Sequence, residues 1–232
     1  MKTIALIVAG GKSVRFGGDV PKQFRNICGR PMLSWAVHSF EKAKSIDQIL
    51  VVVPEEYMIY TSEKVIDPYN FSKVTKVVAG GDSRPESVHC GLQALSTSTD
   101  YVAIHDGARP LVAPEDIDKV VDAAKKDKAA ILAAKATDTV KRVRDSFIIS
   151  TLERDSLYMA QTPQVFQYSL IMDVHREYAG QSDNNWATDD ASMVEKKGFK
   201  VRTVEPSSPN FKITSADDLV LAEAILKERG YE

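Results

Sequence analysis

Four short strand-like runs rich in apolar and β-branched residues, separated by stretches of helical or turn character, constrain this chain more than any other feature. Residues 3–8 read TIALIV, 49–53 ILVVV, 74–78 VTKVV and 101–104 YVAI. Runs without strict polar alternation suit strands covered on both faces, as in a parallel sheet. Between them the pattern turns helical. From Pro31, which suits a first helical turn, Met32, Trp35, Ala36, Phe40 and Ala43 share one face. Pro85 opens a second helix that runs through Val88, Leu92 and Leu95. Strand and helix alternating at this spacing predict an α/β fold: a Rossmann-like, mostly parallel twisted sheet with helices on both faces.

In such sheets ligands bind beyond the carboxyl ends of the strands, and three polar loops fall there. The first holds Ala9, Gly10 and Gly11, then Arg15, and after Pro21 the cation Lys22. Glycines let a backbone approach a phosphate and offer it N–H donors. Glycines alone equally fit a plain turn; Arg15 and Lys22 tip the balance toward a triphosphate. The segment lacks both the GxxxxGK[ST] and the GxGxxG pattern. The second loop carries Gly80, Gly81, Asp82 and Ser87, able either to read a base edge or simply to turn and cap a helix. The third is His105-Asp106-Gly107-Ala108-Arg109-Pro110. An Asp at a strand end in a nucleotide domain suits Mg²⁺, a hard cation that prefers carboxylate and phosphate oxygens. Arg109 is expected to pair with Asp106 and hold it in place. His105 has no second histidine at metal-ligand spacing, so it is expected to be a structural hydrogen-bonder.

Residues 137–151 break the alternating pattern. Thr139, Val140, Val143, Phe147, Ile148 and Ile149 flank a turn at Asp145 and Ser146, which predicts a β-hairpin projecting as an arm. Residues 210–214 (NFKIT) read as a short alternating strand, on which Lys212 should meet an anion or an ion-pair partner. The last helix starts near Ser215, with Asp218 as an acidic variant of the capping box and Leu219, Ala222, Ile225 and Leu226 facing the core. Arg154, Thr139, Thr162 and Thr188 suit a phosphate and a polyol, although such residues are most often solvated or capping.

Among 232 residues, 30 are Lys or Arg and 32 Asp or Glu, for a formal net charge of −2. That balance gives no support to a nucleic-acid-coating surface. The 2 cysteines, Cys28 and Cys90, form no CxxC pair and point to a reducing compartment. The opening apolar run meets Gly10 and Gly11 too soon for a signal peptide, and no stretch approaches the ~20 apolar residues that cross a bilayer. The expectation is a cytoplasmic chain forming one domain over residues 1–232, with the arm at about 137–156.

Together these segments resemble the 2-C-methyl-D-erythritol 4-phosphate cytidylyltransferase family of the non-mevalonate isoprenoid pathway. The likeness runs in order through the Gly-rich loop, PKQ, GGDSRxxS, HDGARP, DTVKR, TPQ, TDDAS and NFKIT, covering nearly the whole chain. It implies CTP and 2-C-methyl-D-erythritol 4-phosphate as substrates, Mg²⁺ as cofactor and a homodimer. Arg15 and Lys22 would stabilise the transition state, Ala9, Gly10 and Gly11 line the triphosphate, and Gly81, Asp82 and Ser87 meet the cytosine. Asp106 would hold Mg²⁺. Arg154 and Lys212 would position the acceptor with Thr139, Thr162 and Thr188, Arg154 serving the neighbouring subunit's site through the arm.

Two positions depart from the family pattern. Ala9-Gly10-Gly11 stands where Ala-Ala-Gly is more frequent, a variant that looks like the ribitol-5-phosphate cytidylyltransferases. Phe211 replaces a small aliphatic residue. Ribitol phosphate is therefore the alternative acceptor, and a nucleotide-binding module without turnover the non-enzyme alternative.

Overall fold

Three of the runs become the buried centre of one sheet, while the run at 74–78 forms its half-exposed edge strand. The computed structural model describes residues 1–10, 21–179 and 188–231. Strand β1 (Thr3–Val8) is buried along its whole length. A two-stranded ribbon, β2 (Asn26–Ile27) and β3 (Arg30–Pro31), turns the chain into helix α1 (Met32–Lys42). The apolar stripe of α1 packs inward, with Met32, Ala36 and Phe40 fully enclosed. The two large side chains, Met32 and Phe40, each contribute about 1.5–3 kcal/mol on burial. Next come β4 (Gln48–Val53), a short turn α2 (Met58–Tyr60), and β5 (Val74–Ala79) at the sheet's edge.

Helix α3 (Arg84–Gln93) begins with a complete capping box: Ser83 accepts from the Glu86 N–H, and Glu86 bonds back to Ser83. Pro85 sits in its first turn as its fixed φ suggests, but the helix stops before Leu95. Gly91 has a packing reason. A Cβ there would run into Leu6 on β1, so only glycine lets α3 lie this close to the sheet.

Strand β6 (Tyr101–Asp106) follows, then helix α4 (Pro114–Asp127) and β7 (Ala129–Lys135). Strands β8 (Lys141–Arg144) and β9 (Phe147–Thr151) form a separate two-stranded hairpin. Asp145 and Ser146 between them both take positive φ, 48° and 66°, which matches the right-handed twist of a tight hairpin. Strand β10 (Tyr158–Gln167) returns to the main sheet, antiparallel to both β6 and β7. Helices α5 (Tyr168–Ala179) and α6 (Asp190–Lys196), strand β11 (Arg202–Val204) and helix α7 (Ala216–Glu228) complete the chain.

The seven strands run in the order β11-β7-β10-β6-β1-β4-β5. All pairings are parallel except those of β10. One face buries Ala36, Val37, Phe40 and Val120 from α1 and α4; the other buries Val88, Leu92, Ile171 and Val194 from α3, α5 and α6. Helix α7 covers Ile27, Met32 and Trp35 through Ala222 and Leu226, with Leu219 and Ile225 partly buried against them. Its N-cap is Ser215, boxed with Asp218.

The strand expected over residues 210–214 is corrected: these residues have no regular structure. The Ile213 N–H donates to the Ala108 carbonyl at 2.9 Å. Ala108 itself lies in an irregular loop, so that contact joins two loops and no ladder can propagate.

Candidate active site

The sheet's register builds the site. Val8 and Asp106 are direct partners on parallel strands, so β1 and β6 release their loops side by side. The Gly107 N–H donates to Val8 O at 2.8 Å. A Cβ on Gly107 would come within 3.0 Å of Ala9 Cβ and 3.3 Å of that same backbone oxygen. Gln23, 3% exposed, donates from Nε2 to Ala9 O at 2.8 Å and ties the start of the glycine loop to the short 3-10 turn Lys22–Phe24.

A cavity of about 280 Å³ opens over these ends. Ala9, Gly10, Lys22, Asp82, Ser87, Asp106 and Lys212 line it, a set drawn from all three polar loops and residue 212. Gly81 adjoins: its N–H donates to Ser87 Oγ at 3.2 Å. Lys22 Nζ donates to Ile213 O at 3.0 Å, bringing the first loop against the segment that carries Lys212. Gly11 and Arg15 lie outside the described residues.

Asp106 is the electrostatic centre. Arg84 Nε donates to its Oδ1 and Lys212 Nζ to its Oδ2, each at 2.9 Å. Burial alone would raise its pKa, but Arg84 and Lys212 more than offset that and hold it far below the ordinary carboxylate range. The expected pairing with Arg109 is present but long: its Nε is 3.9 Å from Asp106 Oδ2, while its Nη1 donates to Asn210 O at 2.8 Å. Arg84 makes the closer contact that was not expected. It stands in the GGDSRxxS segment, but its partner shows only once α3 packs beside β6.

His105 is fully buried, and burial lowers its pKa to about 4, leaving the ring neutral. Its Nε2 donates to Arg109 O at 3.1 Å, and its Nδ1 accepts from the Thr162 hydroxyl at 2.9 Å. It holds the loop and offers neither nitrogen to a ligand. Thr162, 4% exposed, also accepts the Asp106 N–H at 3.0 Å; its hydroxyl is engaged beneath the cavity. Thr188 lines a neighbouring hollow with Arg84 and Asp189. Thr139 and Arg154 are exposed at the root of the hairpin, away from the cavity, where Arg154 Nη1 donates to Thr137 O at 3.3 Å.

No group of three or more His, Cys, Asp or Glu side chains stands ready for a metal among the described residues. A divalent ion here must draw most of its oxygens from a ligand. That suits Mg²⁺, which binds readily through one carboxylate plus substrate phosphates, and Asp106 is an ionised carboxylate at the cavity floor.

A glycine-rich turn, cations from two loops and one anionic Asp at adjacent strand ends of a Rossmann-like sheet define a nucleotidyltransferase. The model of the family described as IspD, 2-C-methyl-D-erythritol 4-phosphate cytidylyltransferase, matches residues 3–228. The enzyme of that name from Syntrophotalea carbinolica is 44% identical over 231 residues, covering 99% of this chain and 98% of the relative. That from Syntrophus aciditrophicus is 40% identical over 228 residues, covering 98% and 97%. The crystal structure of 4-diphosphocytidyl-2C-methyl-D-erythritol synthase from Anaerococcus prevotii superposes with a TM-score of 0.85 at 29% identity, over 97% of this chain and 96% of that one. The Francisella tularensis enzyme gives 0.80 at 30% identity, over 97% and 99%. The chain belongs to the 2-C-methyl-D-erythritol 4-phosphate cytidylyltransferase family.

Proposed function

We propose that the protein transfers CMP from CTP to 2-C-methyl-D-erythritol 4-phosphate and releases pyrophosphate. The observation that carries this is the meeting of Lys22, Asp106 and Lys212 around one cavity whose other wall is the Gly81–Ser87 turn. An acceptor phosphate oxygen is already a nucleophile at neutral pH, so no general base is needed. It attacks the α-phosphorus of CTP in line; a new P–O bond forms as the bond to the bridging oxygen breaks and pyrophosphate leaves. Catalysis is then positioning and charge stabilisation. Lys22 faces the triphosphate, a role the family motif also assigns to Arg15, Lys212 draws the acceptor phosphate, and Gly81, Asp82 and Ser87 take the cytosine edge. Asp106 holds Mg²⁺, which when bound neutralises phosphate charge.

The working unit is a homodimer built through the arm. Phe147 and Ile148 are 77% and 65% exposed, apolar side chains that a lone hairpin does not sustain in water. Pairing by a two-fold contact would cover them and deliver Arg154 and Thr139 to a neighbouring acceptor site, joined there by Thr188 and Thr162. The unpaired cysteines support a cytoplasmic setting; no helix among the described residues is long and apolar enough to cross a membrane.

Pyrophosphate release with CTP and Mg²⁺ across methylerythritol, ribitol and glycerol phosphates tests the reading. Methylerythritol phosphate should be turned over fastest; a preference for ribitol phosphate would reassign the acceptor, and no release with any would remove the enzymatic assignment.

A further inference from the structure

Arg84 stands in the wall shared by the nucleotide cavity and the hollow under Thr188, and the transfer chemistry above gives it no contact with either substrate. Its guanidinium spans two carboxylates. Nε donates to Asp106 Oδ1 at 2.9 Å, and Nη1 forms an ion pair with Asp190 Oδ2 at 2.8 Å. Asp190 is fully buried, and its other oxygen accepts from His175 Nε2 at 3.1 Å. His175 is itself 1% exposed, so the far end of this series of contacts is anchored in packed core between α5 and α6. Burial works against the Arg84 charge, yet Asp190 and Asp106 more than offset it and push its pKa up.

The two oxygens of Asp106 are held unequally. On Oδ2 the partner is Lys212, whose side chain is 39% exposed and ends in a single flexible ammonium. On Oδ1 it is a planar fork fixed at both ends. A lysine at position 84 would keep the charge but could not serve two carboxylates in different directions at once.

The geometry points to Arg84 as a positioning residue: braced by Asp190 and His175, it fixes Asp106 through Oδ1 and leaves Oδ2 to turn to Mg²⁺ and the triphosphate when Lys212 is drawn to the acceptor. The inference rests on Asp106 being the Mg²⁺ carboxylate. Loss of a group that orients a metal ligand costs about 10–100-fold in metal affinity or activity.

The test titrates CTP into the full-length chain by calorimetry, once with Mg²⁺ and once with EDTA, alongside thermal melting and steady-state kinetics. Arg84→Lys should weaken CTP binding about 10–100-fold with Mg²⁺, change it little in EDTA, and lower kcat more than it raises the acceptor KM. Asp190→Asn, which leaves the Arg84–Asp106 contact in place but removes its brace, should shift the same Mg²⁺-dependent affinity in the same direction by less. Folded variants with unchanged Mg²⁺ dependence would overturn the inference. Failure of both to fold would overturn it too, making the network an element of stability alone. Asp106→Asn separates the premises. If it abolishes the Mg²⁺ effect while Arg84→Lys does not, only Arg84's role falls; if Asp106→Asn retains the effect, the Mg²⁺ assignment falls with it.

Discussion

Lys212 Nζ lies 2.9 Å from Asp106 Oδ2, although 106 positions separate them in sequence. The pair is asymmetric: the lysine side chain is 39% exposed and the aspartate 11%. An ammonium held this way helps Arg84 keep Asp106 ionised and can still leave it for a phosphate. The two residues should therefore be coupled in the reaction. Lys212→Ala is expected to lower kcat about 10²–10³-fold, the usual loss for a group that meets developing charge. In a double-mutant cycle with Asp106→Asn, the losses should fall short of additive. Strictly additive losses would show that the contact has no part in turnover.

Lys22 gives a second kinetic prediction. Its ammonium is held by Ile213 O at 3.0 Å and lines the cavity, so it arrives at the triphosphate already placed. Lys22→Ala should reduce kcat about 10²–10³-fold with a much smaller effect on acceptor KM. A near-normal kcat would show that this cation serves only the loop.

The turn proposed to take the cytosine depends on one glycine. A Cβ on Gly81 would stand 2.5 Å from Glu86 Cβ and 3.0 Å from its Oε2. Glu86 accepts from the Asp82 and Ser83 N–H groups, so Gly81→Ala should disturb the capping box and the turn together. Loss of the cap costs about 1 kcal/mol, a drop of about 2–4 °C in Tm for a chain of this size. The KM for CTP should rise at least about tenfold, the equivalent of one lost hydrogen bond. The unaltered protein should prefer CTP strongly over ATP and GTP, because a purine leaves the turn's polar groups unpaired. Equal use of ATP would count against the assignment of this turn.

Much of this was legible in order along the chain. TIALIV becomes Thr3–Val8, and the capping pattern at Ser215 opens α7 as expected. What the sequence hides is non-local. Strand β7 reads AAILAAK and β10 reads YMAQTPQVFQ; alanine, glutamine and proline carry no strand signal, and these segments become strands because β6 offers β10 a partner and β10 in turn offers one to β7. Lys212 was legible as a cation needing an anion, yet its strand was not there. Arg84 and Gln23 were invisible as site residues, since a side chain's partner across the fold leaves no trace in local spacing.

One carboxylate away from the site predicts pH-dependent stability. Glu41 accepts from the Ser72 N–H at 2.9 Å, the Ser72 hydroxyl at 2.6 Å and the Lys73 N–H at 3.0 Å, docking the segment that leads into β5. Burial alone would raise its pKa; the hydrogen bonds from Ser72 and Lys73 outweigh that and bring it below the ordinary 4.5. A depressed folded-state pKa means the contribution is complete above about pH 4.5 and lost as pH falls through the lowered value. Glu41→Gln should therefore be less stable than the unaltered protein at pH 7 by urea unfolding, with the gap closing toward pH 3. A gap independent of pH would show that shape, not charge, docks the segment.

The arm carries the last prediction. Its turn is well formed, yet Val143, Phe147, Ile148 and Ile149 all remain more than half exposed. Two strands alone bury too little to be stable, so the apolar side should be covered by a second copy. Phe147→Asp, at the start of β9 and the most exposed of these four side chains, should shift the protein toward monomer in sedimentation equilibrium while leaving the main sheet folded. If the arm also delivers Arg154 across the interface, chains carrying Arg154→Ala and Lys212→Ala should complement each other. Each homodimer would be defective at both sites. A mixed dimer would hold one site with both cations and one with neither, so exchange of subunits should restore activity toward half that of the unaltered dimer. Proven exchange without recovery would confine Arg154 to its own subunit, and a monomer at assay concentration would remove the arm from the active site altogether.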